Sequence, residues 1–472
     1  MAELHDRFRS LDRIVVPDLW ADVEQRAFAA APKPLSPVGV QFGLDLPGLT
    51  RSRPARLALV LAALILLLLA LALATGSRVS FTSPLVFTTS AGEGGIYALD
   101  GAGADPRTIF DGSASEVHVS PDGRYVLFEG AGPGLTLART DGSSSRTFPD
   151  GAWTASWAPD SHAVVMATSQ GDQTTLVIAD VEGGEPGQIA VPARVDPRLA
   201  WSPDNVHLVY TGFEPGDPLA ECQTIASMLV VDIDSRTFRE FALYPARLPV
   251  WSHDGRHLAA AVWPEGEDPG PCVAPRDEGL ALVSVDTVTG KISTTVMRAD
   301  DSFVDLAWSA DDRSMVWLIA PVIGGVEVVR VPKEGGAVEP LARLTPNWPV
   351  SSFFDGGVVW SPDRSHLAWT ELDDTATETY SLWVLDLADG QPRRIAQDVL
   401  GYVNTVVQPL WSPDGAWIAF YRESSRPTYQ YGWPPIQRVG GEGSIWIVRP
   451  DGSDERLVVD DHFGVDVGRA DW

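Results

Sequence analysis

Basic side chains are scarce in this sequence. Its 472 residues include 35 Lys and Arg against 63 Asp and Glu, which gives a formal net charge of −28 at pH 7. Binding to the phosphates of a nucleic acid requires an excess of Lys and Arg on some face of the protein. The composition therefore disfavours a nucleic-acid partner. Aspartates in repeated turns account for most of the acidity, and an acidic surface for cations or for a basic partner is the alternative.

Catalytic signatures are missing as well. The sequence contains neither the G-x-S-x-G elbow of α/β-hydrolases nor the H-E-x-x-H helix of zinc peptidases. It therefore offers no catalytic residue and no cofactor site, and we predict a protein that is not an enzyme.

Long apolar runs are confined to one place. Residues 57–74 contain no charge and consist almost entirely of Leu, Ala, Val and Ile, and as a helix they would extend about 27 Å, enough for a hydrocarbon core. Arg51, Arg53 and Arg56 precede the run and Arg78 alone follows closely, so the positive-inside rule places the N-terminus in the cytoplasm. We predict a single transmembrane helix over 56–75, a signal anchor in the plasma membrane, with the rest of the chain on the extracytoplasmic side.

The segment 1–55 shows a helical pattern. Leu4, Phe8, Leu11 and Val15 fall on one face of a helix, a second short helix begins near Leu19, and a proline-rich linker follows from residue 32. Residues 1–30 form either a docking helix for a cytoplasmic partner or a surface-lying tail. Such a head on a single-pass protein resembles those of membrane-bound anti-sigma factors, although the His and Cys zinc pattern that many of them carry is missing here.

A short motif recurs seven times after the apolar run, most clearly as Trp-Ser-Pro-Asp-Gly at 411–415. A large apolar residue, here called the anchor, ends one strand, and the next four residues turn the chain into a second strand. Pro fixes φ at the first corner, Asp bonds the backbone beyond it, and Gly accepts positive φ. The seven anchors are Val119, Trp157, Trp201, Trp251, Trp308, Trp360 and Trp411.

The spacing of the anchors indicates a β-propeller. Successive anchors lie 38 to 57 residues apart, and each interval holds four short strands, as a propeller blade does. Residues 467–472 form a first strand ending in Trp472, while 83–87 form a second strand that lacks a first, so the two ends complete an eighth blade. We predict an all-β, eight-bladed propeller over 80–472, with a seven-bladed ring as the alternative.

The W-S-P-D-G turn, followed by a strand of the type Ile418-Ala419-Phe420, resembles the β-propeller repeat of TolB. It is also similar to the propellers that precede the catalytic domain in dipeptidyl and prolyl oligopeptidases. The similarity covers residues 80–472. It implies the fold but no particular activity, because the same blades serve as scaffolds, lids and docking platforms.

The two cysteines occupy equivalent places. Cys222 follows Trp201, and Cys272 follows Trp251, by the same 21 residues, so both lie in equivalent loops of neighbouring blades. We predict a disulfide and hence an oxidising compartment, with two unpaired thiols as the alternative. Three histidines that each follow an anchor by six residues occupy one position on separate blades, so we predict no metal site; they are His207, His257 and His366.

Two candidate binding sites lie on one face of the disc. The long insertions 213–224, 263–278 and 423–443 all join second to third strands, and the last carries Tyr429, Tyr431 and Trp433, rings that are enriched at binding hot spots; packing onto the same blade is the alternative. The second site is the axial mouth, where first strands begin and a polar ligand or a peptide end would be gripped, with inter-blade salt bridges as the alternative. Its polar residues are Glu116, Arg198, Asp305, Gln408 and Arg469.

The sequence therefore favours a membrane-anchored, extracytoplasmic propeller that binds a protein, peptide or glycan as a scaffold or sensor. The first alternative is a transmembrane signalling protein whose cytoplasmic head binds a regulator. The second is a hydrolase or lyase that acts at the axial mouth.

Overall fold

The chain divides into Met1–Ser77 and Arg78–Trp472, and the computed structural model describes strands of the second unit only. The residues described are 79–472 without 90–93, 131, 133, 149–151, 171–172, 192–193, 214–224, 242, 244–248, 263–280, 297–300, 322–324, 345–357, 375–378, 400–408, 424–427, 431–436, 440–442 and 461–464. The predicted N-terminal helices and the predicted span 56–75 lie outside these residues. No helix among the described residues is long and apolar enough to cross a bilayer.

Thirty-four strands lie in the described part of the chain. The first fifteen are β1 (Val79–Thr89), β2 (Gly95–Ala102), β3 (Arg107–Asp111), β4 (Ala114–Val119), β5 (Tyr125–Gly130), β6 (Leu135–Arg139), β7 (Ser145–Thr147), β8 (Ala152–Trp157), β9 (Ala163–Gln170), β10 (Gln173–Asp180), β11 (Gly187–Ala190), β12 (Arg194–Trp201), β13 (His207–Phe213), β14 (Ile225–Asp232) and β15 (Phe238–Phe241).

The remaining strands continue the same succession. They are β16 (Val250–Trp251), β17 (His257–Val262), β18 (Ala281–Asp286), β19 (Ile292–Val296), β20 (Asp301–Trp308), β21 (Ser314–Pro321), β22 (Val326–Pro332), β23 (Glu339–Leu344), β24 (Val358–Trp360), β25 (His366–Asp374), β26 (Thr379–Asp386), β27 (Pro392–Val399), β28 (Leu410–Trp411), β29 (Ile418–Glu423), β30 (Thr428–Gln430), β31 (Gln437–Val439), β32 (Gly443–Val448), β33 (Arg456–Val459) and β34 (Val465–Asp471).

The strands form eight antiparallel blades. Six separate four-stranded sheets, each made of consecutive strands from β4 to β27, are blades 2 to 7. An eight-stranded sheet supplies the other two, blade 8 from β28, β29, β32 and β33, and blade 1 from β34, β1, β2 and β3. The predicted eight-bladed propeller is confirmed, and the seven-bladed alternative is not. The hairpin β30–β31 is a separate two-stranded sheet within the connection of blade 8.

The ring closes through the two ends of this unit, as predicted. β34 pairs antiparallel with β1, with Val86 opposite Asp471 and Phe87 opposite Ala470. A bridge between Gly443 and Val465 also joins blade 8 to blade 1 in one continuous sheet. Closure leaves the innermost strand of blade 1 paired rather than exposed as an edge.

Each blade is buried on both faces, which explains the continuous apolar runs. Successive side chains of a strand point to opposite faces. In β13, Leu208 and Tyr210 pack in a cluster with residues of blade 3, whereas Val209 packs with Trp251 and Leu258 of blade 5. The core is therefore a series of eight layers between neighbouring blades rather than one central mass.

The anchor tryptophans are structural. Trp308 is fully buried, Trp201, Trp251, Trp411 and Trp472 are buried, and the other two anchor indoles are half-buried. Burial of an indole removes about 150–250 Å² from water, or roughly 4–6 kcal/mol at 25 cal/mol/Å².

Candidate functional site

The antiparallel order gives the disc two unlike sides. The turns that join strand one to two, and strand three to four, lie on one side, here called the turn side. The connections from strand two to three, and from blade to blade, lie on the other, here called the loop side. The sides differ in the length of their connections.

On the turn side, the Ser and Asp of the motif form a fixed hydrogen-bond pattern. In blade 5, Ser252 Oγ donates to Asp254 Oδ1 at 2.5 Å, and the same oxygen accepts from Arg256 N at 2.9 Å. Burial opposes ionisation of Asp254, but these hydrogen bonds and the nearby His257 lower its pKa overall. The Ser–Asp pairs are Ser120–Asp122, Ser202–Asp204, Ser252–Asp254, Ser309–Asp311, Ser361–Asp363 and Ser412–Asp414.

The fourth residue after each anchor occupies what is here called the left-handed slot, because its φ lies between 53° and 72° in all seven turns. Several slot side chains link their turn to that of the preceding blade. Ser161 Oγ accepts from Asp122 N at 3.0 Å, and Asn205 Oδ1 accepts from Asp160 N at 3.1 Å. The slot residues are Gly123, Ser161, Asn205, Gly255, Asp312, Arg364 and Gly415.

Near the axis, indole N–H groups connect neighbouring blades. In five seams between blades the anchor Trp donates from Nε1 to the main-chain carbonyl of the residue just before the preceding blade's anchor. These bonds run from Trp157 to His118, from Trp201 to Ser156, from Trp251 to Ala200, from Trp308 to Val250 and from Trp411 to Val359, over 2.9 to 3.4 Å.

The seam between blades 6 and 7 departs from this rule. Trp360 Nε1 donates to the carboxylate Oδ2 of Asp305 at 2.8 Å instead of to a carbonyl, and Asp305 Oδ1 accepts from Leu306 N at 2.8 Å. Burial lowers the pKa of Arg364 in the blade 7 turn, and the charge of Asp305 opposes part of that effect. Asp305, predicted at the axial mouth, therefore lies between two blades with its carboxylate held by N–H donors.

The other predicted mouth residues are placed only by their backbone. Glu116 lies in β4, Arg198 in β12 and Arg469 in β34, each three residues before its anchor on an innermost strand, and Gln408 lies outside the described residues. Binding of a ligand by this ring stays a prediction.

The loop side carries the long connections. Eleven residues separate β13 from β14 and eighteen separate β17 from β18. The connection from β29 to β32 contains the hairpin β30–β31, in which Tyr429 pairs with Arg438. Tyr431 and Trp433 belong to the segment between these two strands, outside the described residues. The hairpin was not predicted, because its strands are only three residues long and lack apolar alternation.

The histidines that share a repeat position lie on separate blades, each against the anchor Trp of the next blade. No group of three His, Cys, Asp or Glu side chains is arranged to hold a metal ion in the part of the chain that the structure describes. Cys222 and Cys272 lie outside the described residues, so the disulfide stays a prediction. The ring pairs are His207–Trp251 at 6.2 Å, His257–Trp308 at 6.0 Å and His366–Trp411 at 6.1 Å.

No protein-family model matches the chain, and no curated protein matches it. Solved structures do share its fold. An oligogalacturonate lyase in complex with manganese matches with a TM-score of 0.51 at 15% identity, over 82% of this chain and 99% of that one. Dipeptidyl peptidase 4 of Porphyromonas gingivalis matches with a TM-score of 0.54 at 12% identity, over 82% of this chain and 59% of that one.

TolB of Acinetobacter baumannii also matches, at 14% identity over 76% of this chain and 80% of that one, with a TM-score of 0.34. At these identities the likeness extends to the fold alone. The propeller is therefore similar in architecture to a lyase and to part of a peptidase, and neither similarity assigns a reaction to this chain.

Proposed function

We propose that the propeller is an extracytoplasmic binding scaffold or sensor, held at the plasma membrane by the span 56–75, and that its loop side recognises a protein, a peptide or a glycan. The unequal construction of the two sides carries this proposal. Short turns linked by hydrogen bonds occupy the turn side, while the long connections and the hairpin β30–β31 occur only on the loop side. Binding residues are concentrated on such connections when a rigid scaffold positions them.

The hairpin is the part of the loop side best suited to recognition. A two-stranded hairpin has little stability of its own, so it is positioned by the blade from which it extends. Tyr and Trp supply large contact areas with few rotatable bonds and a polar group for orientation. Tyr429, Tyr431 and Trp433 therefore serve as the main contacts of the proposed surface.

The test compares two triple variants of the full-length protein. Y429A/Y431A/W433A removes the hairpin aromatics, and V288A/V338A/L457A is the control, because these three apolar side chains are 71%, 42% and 44% exposed outside the loop-side connections. Partners captured from the protein's own membranes are identified by mass spectrometry. We expect the hairpin variant to lose partners that the control retains, and identical partner sets would contradict the proposal.

Transmembrane signalling is a second candidate, favoured by the helical pattern of Leu4, Phe8 and Leu11. In that case the loop-side ligand changes the binding of a cytoplasmic regulator to residues 1–30. The variant L4A/F8A/L11A is expected to lose a cytoplasmic partner and keep the extracytoplasmic ones. An unchanged cytoplasmic partner set would reduce the head to a tether.

Hydrolysis or elimination at the axial mouth is the remaining alternative. The lyase and the peptidase among the similar structures motivate it through the fold alone.

A further inference from the structure

The hairpin β30–β31 lacks the third strand that a small sheet needs. Its strands pair with each other, with Thr428 opposite Val439 and Tyr429 opposite Arg438, and with no other strand that the structure describes. An isolated two-stranded hairpin is marginally stable in water, and three or more strands are needed for independent stability. Each strand of the hairpin therefore presents an edge to which a further strand can be added.

The outermost strands of the eight blades differ from the hairpin in this respect. Each is the last strand of its sheet, but that sheet is already four strands wide and packs against neighbouring blades. An added strand would contribute little to a blade, whereas it would complete the hairpin. Among the strands described, those of the hairpin therefore gain most from a partner in extended conformation.

The hairpin also lies in the least acidic of the three long connections. Residues 214–224 contain three acidic side chains and no basic one, and residues 263–280 contain five acidic side chains and one Arg, so their charges are −3 and −4. Residues 424–442 contain two Arg and one Glu, which gives +1 in a chain whose net charge is −28. One of the two arginines, Arg438, is the middle residue of β31. The local charge therefore favours an anionic partner.

We propose that the hairpin binds an acidic protein segment in extended conformation, which adds to β31 as a third strand. This inference rests on the proposed recognition by the loop side and names the class of its partner. Main-chain hydrogen bonds to the edge of β31 hold the segment, and side chains at alternate positions give specificity. Opposite charges that face each other on neighbouring strands are stabilising, so Arg438 selects a segment that carries Asp or Glu beside it.

An acidic polysaccharide is the other anion that the charge of this connection would attract. Its carboxylates could pair with Arg438, but it has no row of N–H and C=O groups at the spacing of a β-strand. Such a ligand would leave the hairpin with two strands. The unpaired edges of the hairpin therefore favour a peptide over a glycan.

The first test is fluorescence anisotropy with the full-length protein in detergent and labelled peptides. The probe is Thr-Val-Glu-Val-Glu-Val-Thr, and the same peptide with Lys in place of Glu is its charge control. We expect the acidic probe to bind in a saturable manner and the Lys peptide not to bind. R438Q should weaken binding of the acidic probe about fivefold, the effect of one exposed ion pair, and R438E should prefer the Lys peptide. The matched control is R313E, since Arg313 is 85% exposed on the turn side, and it should bind like the wild type.

Hydrogen exchange separates the addition of a strand from attraction between charges alone. The acidic probe should slow exchange of the backbone amides in β30 and β31. A probe methylated on every backbone nitrogen keeps its carboxylates but has no N–H to donate, and it should not slow this exchange. Equal protection by both probes would overturn the proposal, and so would the absence of saturable binding or a wild-type preference in R438E. Saturable binding of sodium polygalacturonate in place of the acidic probe would overturn it in favour of a glycan.

The outcome for the proposed function is read separately. If the acidic probe does not bind while Y429A/Y431A/W433A still loses partners, the loop side is a recognition surface for a partner of another kind. If the probe does not bind and that variant keeps every partner, the strand-addition site and the proposed surface both fail.

Discussion

Five seams of the propeller differ from two others in the acceptor that they use. In the five, an indole donates to a main-chain carbonyl of the preceding blade. In the seam between blades 6 and 7, and in the seam between blades 1 and 2, the acceptor is an aspartate carboxylate, from Asp305 and Asp471 respectively. A carbonyl is present at every residue, so the five ordinary seams place no demand on the neighbour's side chain. The two exceptional seams each depend on one residue.

The seam between blades 1 and 2 is exceptional because its anchor is Val119, which has no indole. Its backbone N donates instead to Asp471 Oδ2 at 2.7 Å, and Trp472 Nε1 donates to Ser83 O of its own blade at 2.9 Å. The end of the closing strand β34 is therefore held by contacts that differ from those that repeat around the ring.

Removal of residues 467–472 tests the closing contacts most severely. Blade 1 would lose most of its innermost strand, together with Asp471 and the buried Trp472. We expect a protein that aggregates and unfolds without cooperativity, because β1 becomes an exposed edge. Size-exclusion chromatography and urea unfolding measure this. A monodisperse product with wild-type unfolding would show that the ring is held without its closing strand.

A second comparison concerns how closely the turns of blades 1 and 2 pack against each other. A Cβ at Gly123 would lie 2.2 Å from Ser83 Oγ and 2.8 Å from Pro84 Cδ, whereas one at Gly255 would be no closer than 3.6 Å, to Asp204. Both glycines have positive φ, so G255A carries the backbone strain alone, about 1–2 kcal/mol. G123A adds overpacking, for a total of roughly 3 kcal/mol or more. Urea unfolding should show this difference, and equal losses would mean that the seam yields easily.

Much of the fold was predictable because its signals are local. The Ser-Pro-Asp-Gly motif determines the backbone conformation of four consecutive residues, and its recurrence indicates the number of blades. The closing strand was predictable because Trp472 ends the same pattern that precedes the other turns. These inferences need no knowledge of which residues meet across the sheet.

The seams could not be predicted, since their partners are distant in sequence. Trp360 is 55 residues from Asp305, and nothing in the sequence near Ala307 indicates that Trp360 does not donate to its carbonyl. Arg364 is a departure from the repeat that the sequence does show, since Gly or a small polar residue is the fourth residue after the anchor in the other six turns. It was recognisable only once positive φ was known to be a property of the slot.

Paired Trp→Phe variants measure the two kinds of acceptor. W251F removes a donor to the carbonyl of Ala200, and W360F removes a donor to the carboxylate of Asp305. Hydrogen bonds to neutral groups contribute about 1 kcal/mol and those to charged groups about 1.5–3 kcal/mol. We expect W360F to be the more destabilising by roughly 1 kcal/mol in urea unfolding, although Trp251 is the more buried ring. If W360F lost less unfolding free energy than W251F, the carboxylate acceptor would not make the seam between blades 6 and 7 more dependent on its indole than the other seams.

The smallest expected effect is a pH dependence at the seam between blades 1 and 2. Burial raises the pKa of Asp471, while hydrogen bonds from Val119 N and Trp472 N and the charge of His118 oppose the rise. An acid whose pKa is higher in the folded state keeps its proton longer there than in the unfolded chain. Its contribution to stability is therefore lost as pH rises from the ordinary aspartate value of about 3.9 through the raised folded value.

D471N isolates that contribution, because Asn does not titrate. The aspartates of the six Ser–Asp pairs act in the opposite sense, because their pKa values are lowered. Their contribution to stability is lost as pH falls, but it is common to both proteins and cancels in the difference. We expect the free energy of unfolding of the wild type, relative to D471N, to decrease as pH rises above about 4, the ordinary aspartate value. A difference that stays constant over this range would show that Asp471 is ionised in the folded ring at all these pH values. Its charge in the seam between blades 1 and 2 would then cost no stability.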